Sequence, residues 1–351
     1  MAELLFVTGR FSVDRVDRRK GMADVALKAG VSLSTVDRVL NERGSVSDLK
    51  RRRVLQIAQE LGLKRLLPSP QHGLLRFDLL LVDSTTDHFH RLAAAFSKQA
   101  QMHRSRLIVQ THVWPERNPD HLIDLIRNPK VPRQGIMVVA QDTTAVRRAL
   151  KKQISAGVPV VMLTTSLSGL EGATYIGIDN NVVGRSAGKL MSQWVTTPGS
   201  DVVLLTNSLK YHAHQNRVEG FLKIMAEKAP QVKVHGPFEC FDRDDLIVST
   251  LAELYAKGLT IHGLYTTGSG SSGVKQALSN REVRPVWIGH EATKQHAEFL
   301  REGLLSLVLD QDPEGQAEAA IQHLLFANGD LSAPPQVRPQ LRILIDEMVN
   351  G

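Results

Sequence analysis

Hydrophobic positions along this chain repeat with two different periods, and the change of period divides it. Met22, Val25, Ala26 and Ala29 recur at the i, i+3, i+4, i+7 spacing that puts them on one face of a helix. Gly30 supplies the left-handed or otherwise open backbone of a tight exit. Ser32 is a candidate N-cap for a second helix starting at Leu33, with Val36, Val39 and Leu40 as its buried face. Ser47 can cap a third helix from Asp48 to Leu61, in which Val54, Ile57, Ala58 and Leu61 repeat at helical spacing before Gly62. Two short helices joined by a Gly-containing turn form a helix-turn-helix, in which Ala26 lets the helices approach, Gly30 turns the chain and Val36 fills the angle. Residues 1–20 show neither period and read as a flexible leader, within which Arg15, Arg18, Arg19 and Lys20 could reach phosphates. Pro68 and Pro70 exclude a regular helix, so residues 64–75 read as an extended linker. The expected units are 1–20, 21–63, 64–75 and 76–351.

Beyond the linker, strand-like apolar runs alternate with amphipathic helical runs. A first set opens with a strand Phe77–Val82 and a helix Phe89–His103 and closes with a strand Val158–Leu163. A second set runs from a strand Tyr175–Ile178 through a helix Gln215–Ala229 to a helix Pro313–Ala327 and a final strand Leu341–Ile345. Such alternation means parallel sheets covered by helices on both faces, and there is enough of it for two. Two open α/β lobes leave a cleft at the carboxyl ends of their strands, where ligands bind.

Composition changes this picture in two places. Cys240 is the sole cysteine, which excludes an internal disulfide framework and a zinc-finger ligand set and suits the reducing cytoplasm. No apolar run reaches membrane-span length, and no secretory signal is recognised at the N-terminus. Charge is more informative. Residues 1–67 carry 14 Lys and Arg against 8 Asp and Glu, which is six of the seven net positive charges. Lys50, Arg51, Arg52 and Arg53 crowd the first turns of the third helix, where they oppose its dipole and so serve something else, most simply nearby phosphates.

The stretch ADVALKAGVSLSTVDRVLN followed by VSDLKRRRVLQIAQELG resembles the headpiece of the LacI/GalR family of bacterial transcription regulators. YIGIDNNVVGRSAGKLM, NRVEGF, VWIGHEAT and LDQDPEGQA look like that family's body, which is similar to periplasmic ribose-binding proteins. The resemblance covers about residues 19 to 346 in order. It implies an all-α helix-turn-helix headpiece plus an α/β two-lobed, periplasmic-binding-protein-like (type I) effector domain. By it the helix from Leu33 enters the major groove, Leu33 and Ser34 face base edges, and Arg38 pairs with a guanine. Ser32, Thr35, Asn41, Ser47 and Lys50 fall on phosphates, and Ser45 near a base or the backbone. Asp37 stands where the family commonly has serine. It cannot bind phosphate, so it either accepts from a cytosine amino group or pairs with Lys or Arg. His72 stands where members that fold a hinge helix wedge a leucine into the minor groove, so half-site coupling is expected to rest on the body.

In the body, the resemblance implies that Asp87, Phe89 and His90 present a polar contact and an aromatic platform to a sugar. Arg217 matches an arginine that hydrogen-bonds ligand hydroxyls, and Phe241, Thr267, Glu291 and Gln311 fall on further pocket positions. Carboxylates, amides and a guanidinium around an aromatic face suit vicinal hydroxyls. Thr164 and Thr165 replace an acid and a base common in the sugar binders, which points away from ribose to another sugar, a polyol or a sugar acid.

Two other readings compete. Gly268-Ser269-Gly270-Ser271-Ser272-Gly273 follows a strand and opens a helix in the form of a dinucleotide fingerprint, with Glu291 about 20 residues on, as in an NAD-dependent oxidoreductase. It occurs late in the lobe, away from the first strand–helix turn. A stand-alone sugar-binding protein is opposed by the basic headpiece and the lack of a signal peptide. His88-x-His90 and His212-x-His214 suggest a metal only weakly, because alternate spacing in loops fixes no geometry. The expected protein is therefore a cytoplasmic, non-enzymatic, cofactor-free regulator. As a homodimer or a tetramer built from it, it binds a near-palindromic operator, represses carbohydrate uptake or catabolism genes, and closes its two lobes on a small effector.

Overall fold

Residues 21–41, 43, 46–61, 74–84, 86–279, 281–331 and 333–349 are described by a computed structural model of the chain. Leader residues 1–20, Ser45 and most of the linker, with Pro68, Pro70 and His72, lie outside them. The chain forms two compact units that divide between Leu74 and Leu75.

Among the described residues the first unit has three helices, α1 (Met22–Ala29), α2 (Leu33–Leu40) and α3 (Asp48–Glu60). Gly30 ends α1 at φ +66°, a conformation that costs a glycine nothing. The Ser32 side chain then caps α2 by accepting the Thr35 amide at 3.2 Å. Val25, Ala26 and Ala29 of α1, Val36, Val39 and Leu40 of α2, and Val54, Leu55, Ile57 and Ala58 of α3 form the core. A unit this small leaves α2 buried on one face only, and the other face stays in solvent.

The second unit begins at β1 (Leu75–Asp83), whose alternate side chains enter two layers. Leu75, Phe77, Leu79 and Leu81 pack on one side of the sheet against α4 (Asp87–Met102), and Leu80 and Val82 pack on the other against α5 (Pro119–Arg127) and α6 (Thr144–Ser155). The remaining strands of this lobe are β2 (Leu107–Pro115), β3 (Gly135–Val138), β4 (Val160–Leu163) and β5 (Ala173–Ile176), in the order β2-β1-β3-β4-β5, all parallel.

The second lobe contains α7 (Asn180–Trp194), β6 (Asp201–Thr206), α8 (His212–Lys228), β7 (Lys233–Glu239), α9 (Asp244–Ala256), β8 (Ile261–Thr266), α10 (Ser271–Leu278), β9 (Val286–His290), α11 (Lys294–Arg301) and β10 (Leu307–Asp310). After α12 (Pro313–Ala327) the chain adds β11 (Arg342–Leu344), antiparallel to β10, giving the order β11-β10-β9-β8-β6-β7. Both sheets therefore reverse direction beside their first strand, and the carboxyl ends at such a switch point form a crevice.

Two assignments from the sequence change. The strand near Tyr175 was expected to open the second lobe, yet β5 pairs with β4 as the last strand of the first sheet. No helix separates the two strands, since residues 164–172 form a short turn whose Leu167 and Leu170 pack on the same core. Similarly α12, late in the sequence, buries Ala317, Ala320, Ile321 and Leu324 against the first sheet. The chain consequently passes between lobes three times, at residues 177–179, 311–312 and 328–341.

Candidate functional site

Most strands that reach the cleft deliver a polar side chain at their carboxyl end, β3 giving Val139 instead. The cleft holds a cavity of about 270 Å³. From the first lobe come Thr86, His88 and Phe89 after β1, Glu116 after β2, and Thr164 and Thr165 after β4. From the second come Asn207, Phe241, Asp242, Thr267 and Glu291, with Arg217 rising from α8 and Gln311 following β10. Thr164, Phe241, Asp242 and Glu291 adopt φ of 62°, 52°, 57° and 73°; with Asp312, which lies outside the cavity, they are the non-glycine residues of positive φ among the described residues. Backbone of that kind costs about 1–3 kcal/mol per residue and persists where surrounding contacts over-determine it.

Arg217 is the best-fixed of these side chains. A Cβ at Gly184 would collide with the Arg217 carbonyl, and one at Gly220 with the Asn181 carbonyl, so two glycines let α7 and α8 close to backbone contact there. The buried guanidinium donates from Nε to Asn180 Oδ1 at 2.7 Å and from Nη1 to the Thr267 carbonyl at 2.8 Å. Its Nη2 has no partner, and neither has Gln311 Oε1 nor His290 Nδ1, all three buried and all on cavity-lining residues. Unpaired buried donors and acceptors are costly, and these three belong to residues that line one cavity.

A ring of side chains ties the cavity floor to the crossover. His88 contacts Glu291 Oε2 at 3.0 Å and Thr164 Oγ1 at 3.2 Å. The Thr164 hydroxyl donates to Gln316 Oε1 at 3.1 Å, Gln316 donates to the Gln311 carbonyl at 2.9 Å, and Gln311 Nε2 donates back to Glu291. Arg91 adds an ion pair with Asp310 at 2.5 Å. On the opposite flank Tyr211 donates to Glu116 at 2.7 Å, His212 pairs with Asp142 at 2.7 Å, and Thr165 Oγ1 accepts the Ala213 amide at 3.2 Å. These contacts join residues of both lobes across the cleft.

Of the residues singled out from the sequence, Phe89, Thr164, Thr165, Arg217, Phe241, Thr267, Glu291 and Gln311 line this cavity. Asp87 is exposed and borders a second, adjoining cavity, and His90 is exposed and lines neither. His88, between them, is buried and occupies the cleft. The difference has a helical cause: α4 starts at Asp87, two residues earlier than its apolar spacing suggests, which turns His88 inward and His90 outward. Glu116, Asn207, Tyr211, His214 and Asp242 were not anticipated, since each is defined by partners distant in sequence.

Burial sets the protonation of the site. Desolvation, with the Arg217 charge, pulls His214 down to about 3 and His290 well below the ordinary imidazole value. Burial pushes Asp242 up to about 6 although Ser269 and Asn207 donate to it. Burial opposes ionisation of Glu291 too, but His88, Gln311 and Arg217 hold it well below the usual carboxylate range. The consequences for stability differ in sign. Below 6.5 an unfolded chain protonates histidines that His214, His290 and His296 keep neutral when folded, so their contribution is complete above 6.5 and lost on acidification. Glu291 acts in the same sense below 4.5. Asp242, raised from 3.8, contributes below that value and loses its contribution as pH rises through about 6. Three groups outweigh one, so the melting temperature of the ligand-free protein is expected to fall from pH 7 to pH 5, more steeply in Asp242→Asn. An unchanged or higher melting temperature at pH 5 contradicts these assignments.

The glycine-rich segment before α10 has a packing role. A Cβ at Gly268 would strike Asp242, one at Gly270 would strike Ile247, and one at Gly273 would lie 2.7 Å from Asp244 Cα. The Ser269 and Gly273 amides, which a dinucleotide phosphate would need, already donate to Asp242 at 2.7 Å and to Asp244 at 2.8 Å. The two histidine pairs are likewise split, with His212 on Asp142 and His214 on Thr267.

In the first unit, Ser32, Leu33, Ser34 and Arg38 are exposed along α2, and Thr35, Asp37 and Asn41 are half-buried beside them. Asp37 is engaged by neither Lys nor Arg among the described residues. Its Oδ1 accepts Asn41 Nδ2 at 2.6 Å, one turn along the same helix. Ser47 and Lys50 are exposed at the start of α3, and Ser45 lies outside the described residues.

Residues 81–328 match the family described as periplasmic binding protein domain. The chain belongs to that family. Residues 21–65 match the lacI family of bacterial regulatory proteins, so this is a lacI-family transcriptional regulator whose second unit has the binding-protein fold. A curated relative, the HTH-type transcriptional regulator MalR of Streptomyces coelicolor, is 25% identical over 268 residues, 76% of this chain and 70% of the relative. Among solved structures, a periplasmic solute binding protein from Actinobacillus succinogenes with bound D-allose aligns with a TM-score of 0.67 at 20% identity, over 78% of this chain and 99% of that one. A solute binding protein from Agrobacterium vitis bound with α-D-tagatopyranose aligns with a TM-score of 0.70 at 17% identity, over 79% and 96%. These likenesses establish the fold of the second unit. Among the described residues of this lacI-family regulator, no helix is long and apolar enough to cross a membrane.

Proposed function

We propose that this lacI-family regulator is a cytoplasmic homodimer that binds a near-palindromic operator through α2 and controls carbohydrate uptake or catabolism genes, as a repressor, in response to a neutral sugar or polyol. The observation that supports the effector reading is a cavity flanked by Phe89 and Phe241 whose lining residues Arg217, His290 and Gln311 each keep an unpaired buried polar atom. A guanidinium and an amide oxygen suit hydroxyls, and the aromatic rings suit the apolar faces of a pyranose. Charge narrows the class. Asp83, Glu116, Asp242 and Glu291 line the cavity against Arg217 and Arg243, so a carboxylate or phosphate on the ligand would enter an already negative surround. The D-allose and α-D-tagatopyranose held by the two solute binding proteins are neutral sugars, in accord with this choice.

The DNA reading rests on exposed Leu33 and Ser34 at the start of α2 and exposed Arg38 in its last turn, with Lys50 nearby in sequence on a basic segment. Thermal-shift screening of the full chain against neutral sugars and polyols, uronates, and sugar phosphates tests the effector class, with operator fragments selected from genomic DNA as the second readout. A ligand at a hundredfold its Kd adds about 2.7 kcal/mol, which raises the melting temperature by roughly 5 °C in a domain of this size. A neutral compound is expected to give that shift and to change operator affinity. Stabilisation by acids or phosphates alone would overturn the charge assignment.

A further inference from the structure

A second cavity, of about 190 Å³, adjoins the first and shares Thr86, His88, Asp242, Ser269, His290 and Glu291 with it. Its outer wall is made by Asp87 of the first lobe and by Asp244, Ser272, Thr293, Gln295 and His296 of the second. Among the described residues, no apolar side chain and no Lys or Arg lines it. The inner cavity differs in kind, having aromatic walls and two arginines. Resting on the reading of a sugar-like effector, we propose that the effector is a neutral two-unit saccharide, a disaccharide or glycoside, with one ring in the inner cavity and the second unit in this outer compartment.

Three observations lead there. The inner cavity alone falls just below the range of about 300–1,000 Å³ typical of ligand sites, enough for one ring, and the outer compartment supplies room for another. The outer lining of hydroxyls, carboxylates, an amide and imidazoles can accept from and donate to sugar hydroxyls, whereas the absence of any basic side chain disfavours a phosphate or carboxylate there. Finally, His290 borders both compartments. It is 1% exposed, its Nε2 is held by the Tyr265 hydroxyl at 3.0 Å, and its Nδ1 is unpaired. The imidazole thus stands at the boundary of the two compartments, along the path of a ligand that passes from one to the other. Asp242 and Asp244 meanwhile accept the Ser269 and Gly273 amides, which fixes the compartment's inner edge before any ligand arrives.

The test is calorimetry on the full chain with D-glucose, D-galactose, maltose, cellobiose, lactose and melibiose, for the natural protein and for Ser272→Trp, which fills the outer compartment from an exposed position. At least one disaccharide is expected to bind about tenfold or more tightly than its component monosaccharides, equivalent to about 1.4 kcal/mol. Ser272→Trp is expected to bring that ratio close to one, and Gln295→Leu to reduce it in part, with retained monosaccharide binding and an unchanged melting temperature as the check that both variants fold. If monosaccharides bind and disaccharides bind no better, the outer compartment is an access path and the two-unit effector is refuted while the sugar reading stands. If none of the six binds while another neutral monosaccharide or polyol stabilises the chain, the two-unit effector is refuted and the sugar reading stands; if only acids or phosphates stabilise it, both fail.

Discussion

Arg38→Ala is expected to erase the preference of this regulator for its operator over random DNA while leaving weak, salt-sensitive binding intact. Arg38 is exposed in the last turn of α2, and its side chain contributes nothing to the core made by Val36, Val39 and Leu40. The substitution should therefore leave the headpiece folded. A bidentate arginine–guanine pair discriminates by about 1–3 kcal/mol, which is roughly 10- to 100-fold at each half-site. With two half-sites read by a dimer, the combined loss reaches roughly 10²- to 10⁴-fold. Non-specific affinity comes from phosphates, and Lys50 and Arg53 remain exposed on α3 to supply it, so the slope of log affinity against log salt should change little. Fluorescence anisotropy with operator and scrambled duplexes over a salt series separates the two quantities. An unchanged operator-to-scrambled ratio would refute the placement of α2 in the major groove.

Asp37 refines this expectation. Its Oδ1 holds Asn41, so the pair presents one free carboxylate oxygen beside Arg38 instead of the hydroxyl usual in the family. A carboxylate accepts from a cytosine amino group and repels phosphate, and it keeps one Asn41 amide hydrogen away from the backbone of the DNA. The base preferences next to the arginine contact should therefore differ from those of members with serine at this place.

The headpiece was legible in the sequence because its determinants are local. Gly30, the Ser32 cap and the 3.6-residue spacing each act within a few residues, and α1 and α2 begin and end where those signals place them. The body was legible as alternating strands and helices, but its wiring was not. Nothing local tells β5 to stay with β4, or α12 to return to the first sheet, because both choices depend on which core is left uncovered. The same holds at the site. Arg217, Glu291 and Gln311 were reached through family motifs, whereas His88 depends on where α4 starts, and Glu116 matters because Tyr211, 95 residues on, donates to it. The buried Arg133–Asp78 pair, at 2.6 Å and 55 residues apart, escaped for that reason too.

Arg217→Ala is expected to abolish the response to effector while the protein still binds its operator. The guanidinium makes two fixed hydrogen bonds, to Asn180 Oδ1 and the Thr267 carbonyl, keeps Nη2 unpaired, and belongs to a residue that lines the cavity. Hydrogen bonds from a charged donor contribute about 1.5–3 kcal/mol each, so losing the one aimed at the ligand alone weakens binding roughly 10- to 100-fold. Misplacement of Thr267, whose side chain also meets His214 at 2.9 Å and Thr206 at 2.7 Å, adds to that loss. Truncation also leaves Asn180 Oδ1 and the Thr267 carbonyl short of a buried donor, at a cost of about 1–3 kcal/mol each, so a lower melting temperature accompanies the defect. A single cooperative melting transition controls for folding of the unit that holds Arg217, and operator binding without ligand for the other unit. Arg217→Lys supplies the second control: it keeps the charge but cannot reach Asn180, Thr267 and the ligand in one plane, so it should recover part of the stability and little of the response. If Arg217→Ala binds effector within threefold of the natural protein and still responds in operator binding, the cavity described between the lobes is not where the effector acts.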